Sequence, residues 1–423
     1  MLLFVFLGVL LILGMPVAFA IGIASMSFLF FVDGPLSANV IALRMISGVD
    51  SFPLLALPLF MLAGELMKYG TTPRLMRFAN SLFGYMRGGL AGVAVASAAF
   101  FGSISGSGVA TVAAVGSIVQ PEMIKKGYGK GFSASLVAGG GVLGMVIPPS
   151  MAMVVYGVSA GVSIGKLFLA GILPGLLTAL MLIIYGVVIS RRRDYGGGEG
   201  VFELRELVVS ARKAILPLLL PVIILGGVMT GVFTPTESAV IAVVYAFILA
   251  FIVYRELHVK DLLGVVTKSA IISAVILFII STANPFGWIM SIEQVPNALA
   301  DALSTLTTNV TIQMLLISLL LLILGTFMET IATIIIMTPI LVPVAVSVGL
   351  DPVHFGVLMM LNLAIGGVTP PLAVGLFTAA KISNIQIEDT FPDVMYVLAV
   401  MIAAYAIVLF NPFLAMLIPN YFY

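Results

Sequence analysis

Gly139-Gly140-Gly141-Val142-Leu143-Gly144-Met145-Val146-Ile147-Pro148-Pro149-Ser150 places two consecutive prolines inside an apolar run, and Gly366-Gly367-Val368-Thr369-Pro370-Pro371-Leu372 does so again. Each proline removes a backbone donor and its ring clashes with the helical path before it, so a helix must break at both places. The two stretches are one motif used twice. Pro121, Gly127, Gly144, Pro148 and Pro149 match Pro343, Gly349, Gly366, Pro370 and Pro371 without a gap, and the match extends upstream with small slips: Met15-Pro16-Val17 pairs with Thr234-Pro235-Thr236, and Thr72-Pro73 with Val295-Pro296. Prolines and glycines recur by chance in membrane helices, but five coincidences at a single offset, one of them a Pro-Pro pair, make the second half a repeat of the first.

Around these breaks the chain is written for lipid. Of its 423 residues 61% are hydrophobic and 9% charged, against roughly 25% charged in soluble domains, and the mean hydropathy is +1.24. The runs Leu167 to Ser190, Ala214 to Met229, Ser238 to Tyr254 and Val394 to Leu417 approach or exceed the roughly 20 residues a helix needs to cross the hydrocarbon core. Period-two alternation is absent, so spanning is helical and the fold class is an all-α polytopic membrane protein. The first apolar run has no basic flank or cleavage site and reads as mature structure.

The most polar stretch, Arg191 to Lys213, divides the chain into residues 1–190, the linker 191–213 and residues 214–423. Residues 1–13 and 19–32 should form a helical hairpin turning at Gly14-Met15-Pro16, because their partner segments join at Phe233-Thr234-Pro235-Thr236-Glu237. Each half then holds about five crossings, a re-entrant helical hairpin (102–123 and 325–346) and a Pro-Pro-broken helix (131–160 and 354–381). An odd number of crossings forces the second repeat to be inverted. With the linker inside, only Arg44 and Lys166 of the 19 basic residues fall outside, as the positive-inside rule requires. Both termini then lie outside. Inverted repeats with helices broken at mid-membrane are the architecture of secondary transporters.

Gly102-Ser103-Ile104-Ser105-Gly106-Ser107-Gly108-Val109-Ala110-Thr111 should turn rather than continue as helix, freeing carbonyls beside three serine hydroxyls. These are hard oxygen donors; the competing reading is close packing of small residues between helices. The Pro-Pro breaks free further carbonyls at membrane depth, tolerated where they line a cavity or hold an ion, although a proline can also simply kink a helix. Two Na⁺ sites are therefore expected, the first from Ser103, Ser105, Ser107, Gly144, Ile147 and Pro149, the second from Gly325, Thr326, Gly366, Thr369 and Leu372. Neither set requires a carboxylate, which favours Na⁺ over Ca²⁺.

Glu329 is the one acid well inside an apolar run with no basic residue within a helical turn. Intramembrane acids are costly and functional by default: it contacts a substrate hydroxyl, binds an ion through water, carries a proton, or makes a structural hydrogen bond across the repeat interface. Glu65, three residues from Lys68, and Glu237, at a helix start, read as structural. Ser150, Glu329, Asn362, Thr378 and Asn284, with Trp288, are candidates for the substrate cavity. The chain has no cysteine and only His258 and His354, which leaves little for thiol, zinc or acid-base chemistry and speaks against an enzyme. No phosphate-binding G-x-x-x-x-G-K-[ST] loop occurs, and a net charge of +1 gives no reason to expect nucleic acid.

Leu57-Pro-Leu-Phe-Met-Leu-Ala-Gly-Glu-Leu-Met67, Phe101-Gly-Ser-Ile-Ser-Gly-Ser-Gly108, Gly231-Val-Phe-Thr-Pro-Thr-Glu-Ser238 and the two Pro-Pro segments resemble the large membrane subunit of the tripartite ATP-independent periplasmic (TRAP) transporters, the DctM type, over nearly the whole chain. The resemblance implies a Na⁺-coupled importer of C4-dicarboxylates, sialic acid or similar carboxylates in the bacterial or archaeal cytoplasmic membrane, with no organic cofactor. It implies two partners, a small four-helix membrane subunit and a periplasmic substrate-binding protein, and an elevator motion in which hairpins and broken helices travel against a fixed scaffold. Because the first half begins within its own hairpin, the small subunit is expected as a separate chain. The alternative is a stand-alone Na⁺- or H⁺-coupled anion symporter or antiporter of a related inverted-repeat fold.

Overall fold

Apolar runs punctuated by glycine and proline become helices along the entire computed structural model, which describes residues 2–32, 38–196 and 201–423. Met1 of the first hairpin and residues 197–200 of the linker lie outside the described residues. Helices α1 (Leu2–Ile12) and α2 (Val17–Val32) turn back at Gly14, whose φ of 80° suits a residue without Cβ. Helices α3 (Ala38–Val49) and α4 (Ala56–Leu66) are bent by 62° at Asp50 and Ser51. Then follow α5 (Thr71–Phe83), α6 (Gly89–Ser105), α7 (Gly108–Lys125), α8 (Lys130–Val142), α9 (Met151–Ala160) and α10 (Ile164–Arg192).

The second half runs through α11 (Leu204–Met229), α12 (Pro235–Phe247, continued by a π turn to Val253), α13 (Val259–Ile292), α14 (Val295–Leu306), α15 (Val310–Phe327) and α16 (Thr330–Ser347). It ends with α17 (Pro352–Gly366), α18 (Val374–Ile382), α19 (Asp393–Phe410) and α20 (Pro412–Phe422). Glu237 does what its position implied: Thr234 Oγ1 accepts the Glu237 N–H at 3.2 Å and the Glu237 carboxylate accepts the Thr234 N–H at 2.7 Å, a reciprocal cap on α12.

Three boundaries differ from the sequence expectations. The linker is shorter than 191–213, because α10 keeps Arg191 and Arg192 in its last turn, where cations suit the helix dipole, and α11 starts at Leu204. The run Val394 to Leu417 is two helices, since Pro412 cannot continue α19 past Asn411. The hairpin turns lie near the start of the expected ranges: Gly106 and Ser107 separate α6 from α7, and Met328 and Glu329 separate α15 from α16. Residues 102–123 and 325–346 thus hold each turn and second arm, while the first arms are α6 and α15.

Among the described residues seven helices are long and apolar enough to cross a membrane, or eight if α3 and α4 act as one span. The seven include α15 and α16, at 18 residues each; α16 falls in the range 325–346 expected as a re-entrant hairpin. The seven are unevenly divided: α10 alone comes from the first half, where α1, α2, α6 and α9 are shorter apolar pieces, and the other six come from the second.

Packing interlocks the halves. The short helix after each break lies on the hairpin of the other half, α9 on α16 and α18 on α7, and α18 also lies against α8. A second group of helices packs together beside them, α4 on α12 and α13 on α2, α3 and α4. Helices α5 and α14 lie along α6 and α16 respectively. Charge gathers at the end carrying the linker: Arg77 meets Glu206 at 2.6 Å, Arg74 meets Glu256 at 3.0 Å while stacking on Tyr254, and Arg193 meets Asp393 at 2.6 Å.

Candidate functional site: two turn-on-break crossings

Each hairpin turn rests on a helix break, and in both places glycine faces glycine. A Cβ on Gly102 would stand 2.8 Å from the Gly144 Cα, and one on Gly366 would stand 2.7 Å from the Gly325 carbonyl carbon and oxygen. Real side chains do not approach so closely, so backbone touches backbone at both crossings. One hydrogen bond between turn and break accompanies each contact: the Met151 N–H donates to the Gly106 carbonyl at 3.2 Å and the Leu372 N–H to the Thr326 carbonyl at 3.1 Å. The bonds Pro148–Pro149 and Pro370–Pro371 are both cis.

At the first crossing the structure brings together Ser105, Ser107, Gly144, Pro149 and Ser150. The hydroxyls of Ser105 and Thr111 lie 2.9 Å apart, and Thr111 Oγ1 donates to the Ser107 carbonyl at 2.7 Å. A Cβ on Gly144 would meet Thr111 Oγ1 at 2.8 Å and the Ser107 carbonyl oxygen at 3.0 Å, and one on Gly106 (φ 62°) would meet the Pro149 oxygen at 2.9 Å. Thr111 is completely buried and was absent from the expected ligands. Its signal was spacing, since it stands one helical turn after Ser107 and so points back at the same tip. Ser103 lies deeper on α6, its hydroxyl donating to the Phe100 carbonyl, and the Ile147 side chain packs toward Gly175 of α10.

Ser150 caps α9, accepting the Met153 N–H at 3.4 Å while its hydroxyl donates to the Met145 carbonyl at 2.6 Å. Ser107 caps α7 in the same manner through the Ala110 N–H. Two capped helix N-termini, with their positive dipole ends, therefore converge where the first turn meets the first break.

At the second crossing Gly325, Thr326, Gly366 and Leu372 are in contact, and the Gly366 carbonyl accepts the Thr369 N–H at 3.0 Å. The Thr326 and Thr369 hydroxyls donate to Ile323 and Ile365 of their own helices, both at 2.7 Å, leaving oxygen lone pairs as acceptors. Glu329 caps α16, its carboxylate accepting the Ala332 N–H at 3.0 Å, and lines a small cavity of about 50 Å³ with Gly325, Gly367 and Leu372. Val142 of α8 shares that cavity and packs toward Gly367 and Gly375, so the two breaks are neighbours.

The remaining expected cavity residues are dispersed. Asn362, buried on α17, donates to the Ser318 carbonyl at 2.8 Å, and Thr378 donates to Val374 within α18. Asn284 lies on α13 beneath Gly48 of α3, in a separate cavity with Trp288 and Arg44. Sequence reasoning also missed a pairing across the halves. Glu65 meets both Lys68 (2.5 Å) and Lys268 (3.3 Å) beside the first turn. Burial draws the Lys68 ammonium below the ordinary lysine range, and the hydrogen bond to Glu65 opposes that shift.

Residues 4–414 match the sequence profile of the tripartite ATP-independent periplasmic transporter DctM component. The chain is 42% identical over 415 residues to the isethionate TRAP transporter permease DctMQ of Oleidesulfovibrio alaskensis, a match that spans 98% of this chain and 65% of that protein's length. It is 38% identical to the C4-dicarboxylate TRAP transporter large permease DctM of Pseudomonas aeruginosa, across 92% of this chain and 91% of that one. The same identity relates it to the sialic acid TRAP transporter large permease SiaM of Vibrio cholerae, across 98% and 96%. The crystal structure of the Alcanivorax borkumensis YdaH transporter superposes with a TM-score of 0.59 at 13% identity, covering 89% of each chain, and so shares the fold.

Proposed function

Because the chain belongs to the DctM family of TRAP transporter large permeases, multi-pass membrane transporters rather than enzymes, we propose that it is the transport subunit of a Na⁺-coupled importer of small organic acids. The observation that carries this reading is the pair of glycine-on-glycine crossings, one per half and adjacent through Val142. A transporter that binds ions at mid-membrane needs irregular backbone there, and such backbone survives in lipid only where protein encloses it.

In this reading residues 1–190 and 214–423 are inverted repeats joined by a cytoplasmic linker within 191–213, with both termini periplasmic. Helices α1 to α4 and α11 to α13 form a fixed scaffold, and α5 and α14 are its arms. The hairpins α6–α7 and α15–α16 and the broken helices α8–α9 and α17–α18 form a carriage that moves as an elevator. One Na⁺ travels at the first crossing on Ser105, Ser107 and the carbonyls around Gly144, Ile147 and Pro149. A second travels at the other, on the carbonyls of Gly325, Gly366 and Leu372 with Thr326 and Thr369. The donors are hydroxyls and carbonyls, a hard and uncharged set suited to a monovalent ion.

The relatives' names supply the substrate class. C4-dicarboxylates, sialic acid and isethionate are small anions bearing a carboxylate or sulfonate. Such a group is stabilised between two bound cations and the N-termini of α7 and α9, beside Ser150 and Glu329. The partners are a small membrane subunit and a periplasmic binding protein that delivers the anion.

Reconstitution tests the proposal. Proteoliposomes holding all three components should take up one of succinate, sialic acid and isethionate when an inward Na⁺ gradient is imposed. Equal uptake on a K⁺ gradient would remove the Na⁺ coupling, and uptake by this chain alone would replace the tripartite reading with a stand-alone symporter.

A further inference from the structure

Two cavities lie between the second group of helices and the interlocked hairpins, and the internal repeat relates them. One, about 500 Å³, is bounded by α4 and α13 on one side and by Ser105, Ser107 and Met151 on the other, and it contains Glu65, Lys68 and Lys268. The other, about 340 Å³, lies between α3 and α13 on one side and Ile335 and Pro339 of α16 on the other, and it contains Arg44, Asn284 and Trp288. Gly64, Glu65 and Lys68 in the first cavity stand 223 residues before Gly287, Trp288 and Ser291 in the second, the offset that also relates Pro73 to Pro296. Arg44 and Lys268 occupy matching places within one residue of that offset.

The charge in the two cavities is also matched. Lys68 and Lys268 share the single carboxylate of Glu65, leaving one positive charge in excess. Among the described residues no carboxylate lines the second cavity, and the Arg44 guanidinium lies 4.9 Å from the centre of the Trp288 ring, a contact that holds the cation without neutralising it. Both cations remain accessible: Arg44 is exposed, and the Lys268 side chain is 57% exposed. A net positive charge retained twice, at equivalent places in a chain with 9% charged residues, calls for an anion.

We propose that Arg44 and Lys268 are a matched pair of anion-docking residues, one in each mouth of the transport path, which hold the acid group of the substrate as it enters and leaves the carriage. The inference rests on the reading of the chain as an inverted-repeat carrier of organic anions and adds the residues that meet the anion outside the crossings. Arg44 serves the periplasmic mouth and Lys268, with Lys68, the cytoplasmic one. The positions are accessible to water, so each supplies a modest attraction rather than a deep binding site.

The absence of cysteine allows a direct test. Arg44→Cys and Lys268→Cys are reconstituted with both partners, and uptake is measured with whichever of succinate, sialic acid and isethionate the unmodified transporter carries best. Each variant should lose at least threefold in uptake at subsaturating anion. Labelling with the cationic trimethylammonium-ethyl methanethiosulfonate should recover most of the loss, while the neutral methyl and anionic sulfonatoethyl reagents should not. Should a cysteine variant fail to fold, Arg44→Lys against Arg44→Gln and Lys268→Arg against Lys268→Gln make the same comparison, with only the charge-retaining member active. Equal behaviour of the three reagents, or full uptake by the uncharged variants, overturns the inference alone. Failure of the unmodified transporter to carry any of these anions overturns the reading beneath it, and this inference with it.

Discussion

The two crossings share a backbone and differ in everything attached to it. At the first, the break is buried throughout residues 141–150, and Ser105, Thr111 and the Ser107 carbonyl form a connected set of oxygens across the turn. At the second, Pro371 and Leu372 are exposed, the two threonine hydroxyls turn back along their own helices, and the turn carries an acid at a helix cap. Backbone geometry is thus fixed twice, while the donors are chosen independently. In the proposed reading the first crossing would bind Na⁺ through side chains and main chain together, and the second mainly through main-chain carbonyls.

The largest effects should come where the crossings are alike. Gly366→Ala and Gly102→Ala each drive a methyl into backbone, and overpacking of about 1–3 kcal/mol exceeds the roughly 0.5–1 kcal/mol that alanine gains in a helix. Both should melt several degrees lower in detergent and lose at least tenfold in uptake, whereas Gly264→Ala, with nothing within 4 Å, should keep both. A crossing that tolerates alanine is not backbone-on-backbone.

Where the crossings differ, Ser105→Ala should raise the Na⁺ concentration for half-maximal uptake about tenfold, with Thr111→Val close behind. Thr369→Ala should raise it only about threefold, because that hydroxyl already serves its own helix. The reverse order would mean that the second site, not the first, depends on its side chains.

The smallest effect on stability should come from Glu329→Gln. An amide oxygen can still accept the Ala332 N–H, so the melting temperature should stay within the shift expected of about 0.5 kcal/mol, while Glu329→Ala loses about 1 kcal/mol of cap. Uptake by the glutamine variant should nevertheless fall severalfold, through loss of the ionisable group. Wild-type uptake at every pH would leave Glu329 as a cap and nothing more.

The breaks were legible in the sequence because proline acts locally: Pro148-Pro149 and Pro370-Pro371 end helices wherever the chain goes next. Thr234 and Glu237 were legible for the same reason, their bonds being completed within four residues. The hairpin turns were located less well, since a serine and glycine run permits a turn at several positions and contact with the break selects Gly106. Thr111 escaped because a threonine inside a helix is ordinary until its neighbour across the turn is known. Lys268 was beyond reach of any local rule, because its partner Glu65 comes from the other half of the chain.

The glycine pairs also bear on how a load is carried. A side-chain contact yields under force, since rotamers change and methyl groups slide past one another, but two main chains pressed together have no such slack. In the elevator reading a cargo lifted across a membrane would be gripped in a frame whose joints do not flex, and the give needed for travel would come from the arms, not from the hand that holds it.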